Sequence, residues 1–202
     1  MGERWPGRIR PVPLFLRLKT YTVNTFWKAK SHLLKCYQDR CGYSMIRVDE
    51  CGGIKALEVD HFDPATKKLK RQPYRCFVLA SRHCNGSKGN TWPSDDERKV
   101  GIYLINPREE HDYGRHLQVR ESGELFGLTP AGKYQIRVCD LNAEHLCRLR
   151  RCAIEARQTL NSSAIVREGM DGEVPVLAEA LRQLEMVARV FPYSESDLVH
   201  PD

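Results

Sequence analysis

The sequence has no apolar stretch near the roughly 18 residues that a membrane-spanning helix needs, no internal repeat and no low-complexity tract. The first absence excludes a helical membrane protein, and the second leaves no repeating unit from which to stack a solenoid. The third, with 41% hydrophobic against 29% charged residues, excludes wholesale disorder. The start, MGERWPGRIRPVPLFL, lacks an unbroken apolar core long enough for a secretory signal. A reducing cytoplasm is therefore the expected location. The eight cysteines (36, 41, 51, 76, 84, 139, 147 and 152) are expected as core residues, metal ligands or redox groups rather than disulfides.

What is present is a chain of 202 residues, enough for one domain with appendages or two small lobes. Its net charge of +6 permits an anionic partner. The basic residues are clustered. Arg4, Arg8, Arg10, Arg17 and Lys19 occupy the first twenty positions, Lys67, Lys68, Lys70, Arg71 and Arg75 form a second group, and Arg148, Arg150, Arg151 and Arg157 a third. The second group follows directly on an Asp-His pair and is read as a phosphate contact. The third is read as a solvated face.

Apolar residues from Thr22 to about Gln38 recur at helical spacing. Ile46 to Val48 and Ala56 to Val59 are expected as two short strands around the Gly52-Gly53 turn. CFVLAS (76–81) fits a strand or a buried helix start. GIYLIN (101–106), HLQVR (116–120) and KYQIRV (133–138) alternate as strands, with ESGEL and TPAGK as turns. A helix is expected over about 142–159, a last one over about 174–190, and a frayed tail after it. Trp27 and Trp92 are read as packing residues, and HDYGRH (111–116) as a turn before a strand.

KALEVDHFDP (55–64) ends an alternating run in Asp60-His61, and Pro64 stops it. Phosphodiester hydrolysis needs an activated water, a sink for charge on the leaving oxygen, and a group that orients the base. Histidine titrates near neutrality and suits the first task. A hard cation such as magnesium suits the second, with the Asp60 carboxylate and the Asn85 carbonyl oxygen as oxygen ligands. Neighbours on a strand point to opposite sides, so Asp60 and His61 share one site only if the strand ends or twists there.

The stretch from WKAKSHLLKCYQDRCGYS through LEVDHFDP to LASRHCNGSKGNTWP resembles the HNH endonucleases, whose core is the ββα-metal fold. The pattern is most similar to the small HNH nucleases of bacterial retron and Septu anti-phage systems. LINP, the turn at SGEL, and DLNAEHLCRLRR extend the resemblance over about residues 26 to 151. It implies an α+β chain: a basic arm and helix over 1–34, an HNH core over 35–95, a β-rich extension over 96–140, and a helical region over 141–202. It implies a Mg2+-dependent endonuclease acting on DNA, with RNA as an alternative substrate, in anti-phage defence and with an ATPase or helicase partner. His61 would be the general base, Asp60 and Asn85 the metal ligands, and Lys88 a phosphate contact. A non-catalytic HNH scaffold that binds nucleic acid or a partner is the alternative.

Two departures matter. The family's orienting Asn falls at Cys76, and a thiol replaces an amide poorly. The family's two CxxC pairs read CGYS and SRHC here, with Ser44 and Ser81 standing for cysteines. Two thiolates are too few for a closed zinc site. A structural zinc is therefore not expected. Cys36, Cys41 and Cys84 are the first candidates for one, with Cys76 and His83 as further substitutes. The expected alternative is that the two turns persist, hydrogen-bonded and packed on apolar neighbours.

Overall fold

The structure is a computed structural model that describes the backbone of residues 19–110, 113–167 and 198–199, with side chains as far as residue 159. Most of the basic N-terminal arm and the helix expected over 174–190 lie outside the described residues. Helices are mixed with small antiparallel sheets, an α+β chain. No helix among the described residues is long and apolar enough to cross a membrane.

The centre is a strand pair followed by a helix. Strand β2 (Leu57–His61) pairs antiparallel with β4 (Phe77–Ser81), with Asp60 opposite Val78 and His61 opposite Phe77. Every residue of β4 is buried, which explains why CFVLAS reads as a continuous apolar run rather than an alternating one. Ser81 then turns the chain. Its hydroxyl accepts from the Cys84 N–H and caps helix α2 (Arg82–Lys88), which ends at Gly89 with φ +52°. Before this unit, a short 3₁₀ turn (Phe26–Ala29) runs into helix α1 (Lys30–Tyr37), as the helical spacing predicts. That helix touches both strands. Between the strands lies the basic connection, with the short strand β3 (Gln72–Pro73) paired to β1 (Thr20–Tyr21).

Gly42 fits the CGYS turn tightly against β4. Its N–H donates to the Leu79 carbonyl at 2.7 Å. A Cβ there would come within 2.6 Å of Tyr37 and 2.8 Å of Val78.

Several strand expectations are corrected. Residues 46–48 make only an isolated bridge, Arg47 to Arg40. The partner of β2 is β4, so Gly52-Gly53 is not the turn of its hairpin. GIYLIN is irregular. KYQIRV is helical: Thr129 accepts from the Gly132 N–H and Pro130 takes the first turn of a helix, Pro130–Val138. Its buried Ala131, Tyr134, Gln135 and Val138 follow a helical period, which overrides the alternation of the last six residues. HLQVR does form a strand, β5 (Leu117–Arg120), paired with β6 (Leu125–Gly127). At the intervening turn, Gly123 has φ +82° and leaves no room for a Cβ against Cys147. A 3₁₀ turn at Tyr113–Arg115 precedes β5. Leu198–Val199, expected in a frayed tail, lie parallel to β5. The helix expected over 142–159 runs from Glu144 to Arg167. Arg150, expected on a solvated face, is fully buried and donates to the carbonyls of Gly123 and Leu141. Trp27, expected as packing, is 60% exposed.

Candidate active site

Strand β2 presents alternate residues to two different environments, as its pleat requires. Glu58, Asp60 and, just beyond the strand, Phe62 meet α2 and the residues after it in step. Asn85 Nδ2 donates to Glu58 Oε2 at 2.7 Å. Lys88 Nζ lies 2.9 Å from Asp60 Oδ2. Phe62 and Trp92 pack edge to face with centroids 5.4 Å apart. The i, i+3 spacing of Asn85 and Lys88 matches the two-residue step of the strand.

His61 faces the other way. Its ring lies 5.0 Å from both Phe26 and Phe77, and its Nε2 is 3.1 Å from Gln72 Oε1. The Gln72 amide is oriented by a second bond, in which its Nε2 donates to the Lys67 carbonyl at 3.1 Å. A carbonyl can only accept, so the nitrogen end of the amide is fixed there and the oxygen end faces His61. His61 Nε2 therefore carries the proton, and Nδ1 holds the lone pair. Burial lowers the His61 pKa below its ordinary value, outweighing the Gln72 bond and the Asp60 charge that raise it. The imidazole is neutral at pH 7, the form that a general base requires.

Gln72 is the residue that sequence reasoning missed. The structure gives it the orienting contact that the alignment placed at Cys76. Cys76 is half-buried; its carbonyl accepts from the Phe62 N–H at 2.8 Å, and its thiol meets Thr66 rather than His61. An amide eleven residues after the histidine, within the basic run, was the only available signal.

Lys88 is corrected as a phosphate contact. It is fully buried, with Nζ held by Asp60 and donating to the His61 carbonyl at 3.0 Å. Asp60 is equally enclosed, and its Oδ2 also accepts from the Tyr43 hydroxyl at 2.6 Å. Burial, with the Asp60 carboxylate next, holds the Tyr43 phenol well above its usual pKa and keeps it a donor. Asp60 therefore does not fit a cation as it stands. A divalent ion at Asp60 would compete with an ammonium already paired in the interior. Asn85 turns its amide nitrogen to Glu58, whose other oxygen pairs with Arg82 at 3.0 Å. Among the described residues, no group of three or more His, Cys, Asp or Glu side chains is placed to hold a metal.

The cysteine turns persist and pack against each other. Cys41 and Cys84 are buried and in contact, and Ser44 and Ser81 close the same cluster. The Ser44 N–H donates to Cys41 Sγ at 3.5 Å. Burial raises the Cys41 pKa, but the donors from Cys84 and Ser44 outweigh it and bring the pKa down, while the same contact raises Cys84. Cys36 is not in this group, and its thiol accepts from the Tyr74 hydroxyl at 3.6 Å. His83 instead bonds the Asp140 carbonyl at 3.1 Å.

The basic connection is brought to the surface around the histidine. Lys67, Lys68, Lys70, Arg71 and Arg75 are all exposed. Asp63 caps the 3₁₀ turn Pro64–Lys68 that carries the first two. Lys67 Nζ reaches Asn90 Oδ1 at 2.6 Å, tying this loop to the segment after α2. No family model matches the chain, and no curated protein or solved structure matches it, so the functional reading of this site rests on its own geometry.

Proposed function

We propose that this chain is a nuclease of the HNH type that cleaves DNA phosphodiesters, with His61 as general base. The observation that carries the proposal is the doubly anchored Gln72 amide, which holds a neutral His61 with its lone pair on Nδ1. A buried imidazole needs its N–H satisfied in any role, and here that bond goes to Nε2 and leaves the lone pair on Nδ1. The strand–strand–helix order and the position of His61 at the end of β2 support the same reading. So does the exposed cationic loop beside it, which can carry a phosphate backbone. Attack would begin when water gives its proton to His61. RNA carries the same backbone charge and is the alternative substrate. The resemblance implies magnesium, and the Asp60 carboxylate that it assigns to the ion is already paired with Lys88.

The Asp60–Lys88 pair favours a second reading, a non-catalytic scaffold that binds nucleic acid. A carboxylate neutralised by a buried ammonium stabilises the hairpin and needs no reaction to explain it. Incubating the protein with single- and double-stranded DNA and RNA, with and without magnesium, separates the two. Cleavage that is lost in His61→Ala while binding is kept is the expected result. Binding without cleavage under every condition would leave the scaffold reading standing.

A further inference from the structure

A cleft of about 360 Å³ opens beside the hairpin, on the side of Phe62 and Trp92. We propose that it is a nucleobase pocket, taking one unstacked base of a single strand that runs along the cationic loop. The path of the backbone rests on the nuclease reading above; the pocket itself rests on its lining.

The edge-to-face Phe62–Trp92 pair forms an aromatic corner, and Tyr103, 39% exposed, stands at the same cleft. Every base offers a π-face to such a surface. The polar side of the cleft can meet a base edge. Asn106 Oδ1 accepts from the Arg108 N–H, which leaves its Nδ2 hydrogens to donate. Glu109 is exposed and forms no ion pair among the described residues, so its carboxylate is available to accept. A donor beside an acceptor complements a base edge, and a carboxylate acceptor favours bases that carry an exocyclic amine. Glu110 also lines the cleft. Glu110 meets Arg115 and His116, and Arg98, which also lines the cleft, is paired with Asp95; Glu109 is the acid that discourages a phosphate from entering, while the Lys67–Asn90 contact places a cationic route two residues from Trp92. Base inside and phosphate outside is the arrangement that this charge separation allows. A paired base cannot enter, so single strands should be preferred over duplex.

The test uses the full chain with His61→Ala to prevent cleavage, and Trp5→Phe and Trp27→Phe so that Trp92 alone reports. Short single-stranded oligodeoxynucleotides should quench Trp92 and bind about tenfold tighter than the same sequence as duplex. Tyr103→Ala, at the exposed rim, and Trp92→Leu, which removes the last tryptophan and is read by the anisotropy of a labelled oligonucleotide, should each weaken single-strand binding by roughly five- to tenfold and leave duplex binding unchanged. Glu109→Gln should narrow the preference for oligo-dC over oligo-dT. If both aromatic variants bind single strands like the parent while Lys67→Glu with Arg71→Glu still abolishes binding, the pocket is overturned and the nucleic-acid reading survives. If the charge-reversed loop changes nothing, or no nucleic acid binds at all, both are overturned.

Discussion

Asp60 and His61 are neighbours in the chain but belong to different interiors, and the two sides of β2 use polarity differently. On the Asp60 side, charge is consumed internally: carboxylate, ammonium and phenol satisfy one another out of solvent. On the His61 side, a titratable group is kept neutral and its tautomer is set by an amide. The first arrangement resists change, because removing one partner leaves the other buried and unpaired. The second leaves one ring nitrogen with a lone pair for proton transfer. On the proposed reading, stability and chemistry are thus separated by one peptide bond.

The comparison breaks most directly at His61. His61→Ala should lower cleavage about 10²–10⁴-fold with little change in nucleic-acid affinity, measured by gel cleavage and by anisotropy. Because burial lowers its pKa, cleavage should hold as pH falls past the usual histidine value of about 6.5 and decline only below it, when Nδ1 becomes protonated. A decline beginning above that value would contradict the burial argument.

On the other side, Lys88→Met should cost about 3–5 kcal/mol, read from the denaturant midpoint. Adding Asp60→Asn should recover part of that loss, since the uncompensated charge is then gone. An equal loss in the double variant would mean that packing, not the ion pair, sets the cost.

The comparison sharpens at Gln72. Gln72→Leu should free the ring and lower cleavage on the order of tenfold, a smaller loss than removing the base itself. Gln72→Glu should instead raise the His61 pKa, by opposing a negative charge to the imidazolium, and move the acid limb of the pH–rate profile upward. Cys76→Asn should leave the rate unchanged, because Cys76 lends the site only its backbone. A change in rate would return the orienting role to that position. The smallest effect is expected from chelation: a zinc chelator should leave the melting temperature where it was, since Cys41 and Cys84 meet serines rather than two further thiolates.

The elements that could be read from sequence were those whose pattern and capping agree. LEVDH alternates and is stopped by Pro64, and the helix near residue 30 repeats its apolar positions for two turns. KYQIRV failed because six alternating residues are too few to outweigh a cap and a proline just before them. The hairpin partner of β2 was misplaced because the connection spans fifteen residues, from Phe62 to Cys76, and local turn signals at Gly52-Gly53 say nothing about a partner that distant. At the site, Asp60, His61, Asn85 and Lys88 stood out by residue type and spacing, while their pairing did not.

By itself the sequence determined the α+β composition, the strand ending in Asp60-His61, the cationic connection and the loss of one cysteine from each pair. Those are properties of residue type and short-range order. Tertiary structure alone decided that Lys88 goes to Asp60 rather than to solvent, that Gln72 rather than Cys76 holds the imidazole, and that Phe62 and Trp92 meet at a cleft. Each depends on which chain segments are brought within hydrogen-bond or van der Waals distance, and local patterning does not specify that across the 27 positions that separate His61 from Lys88.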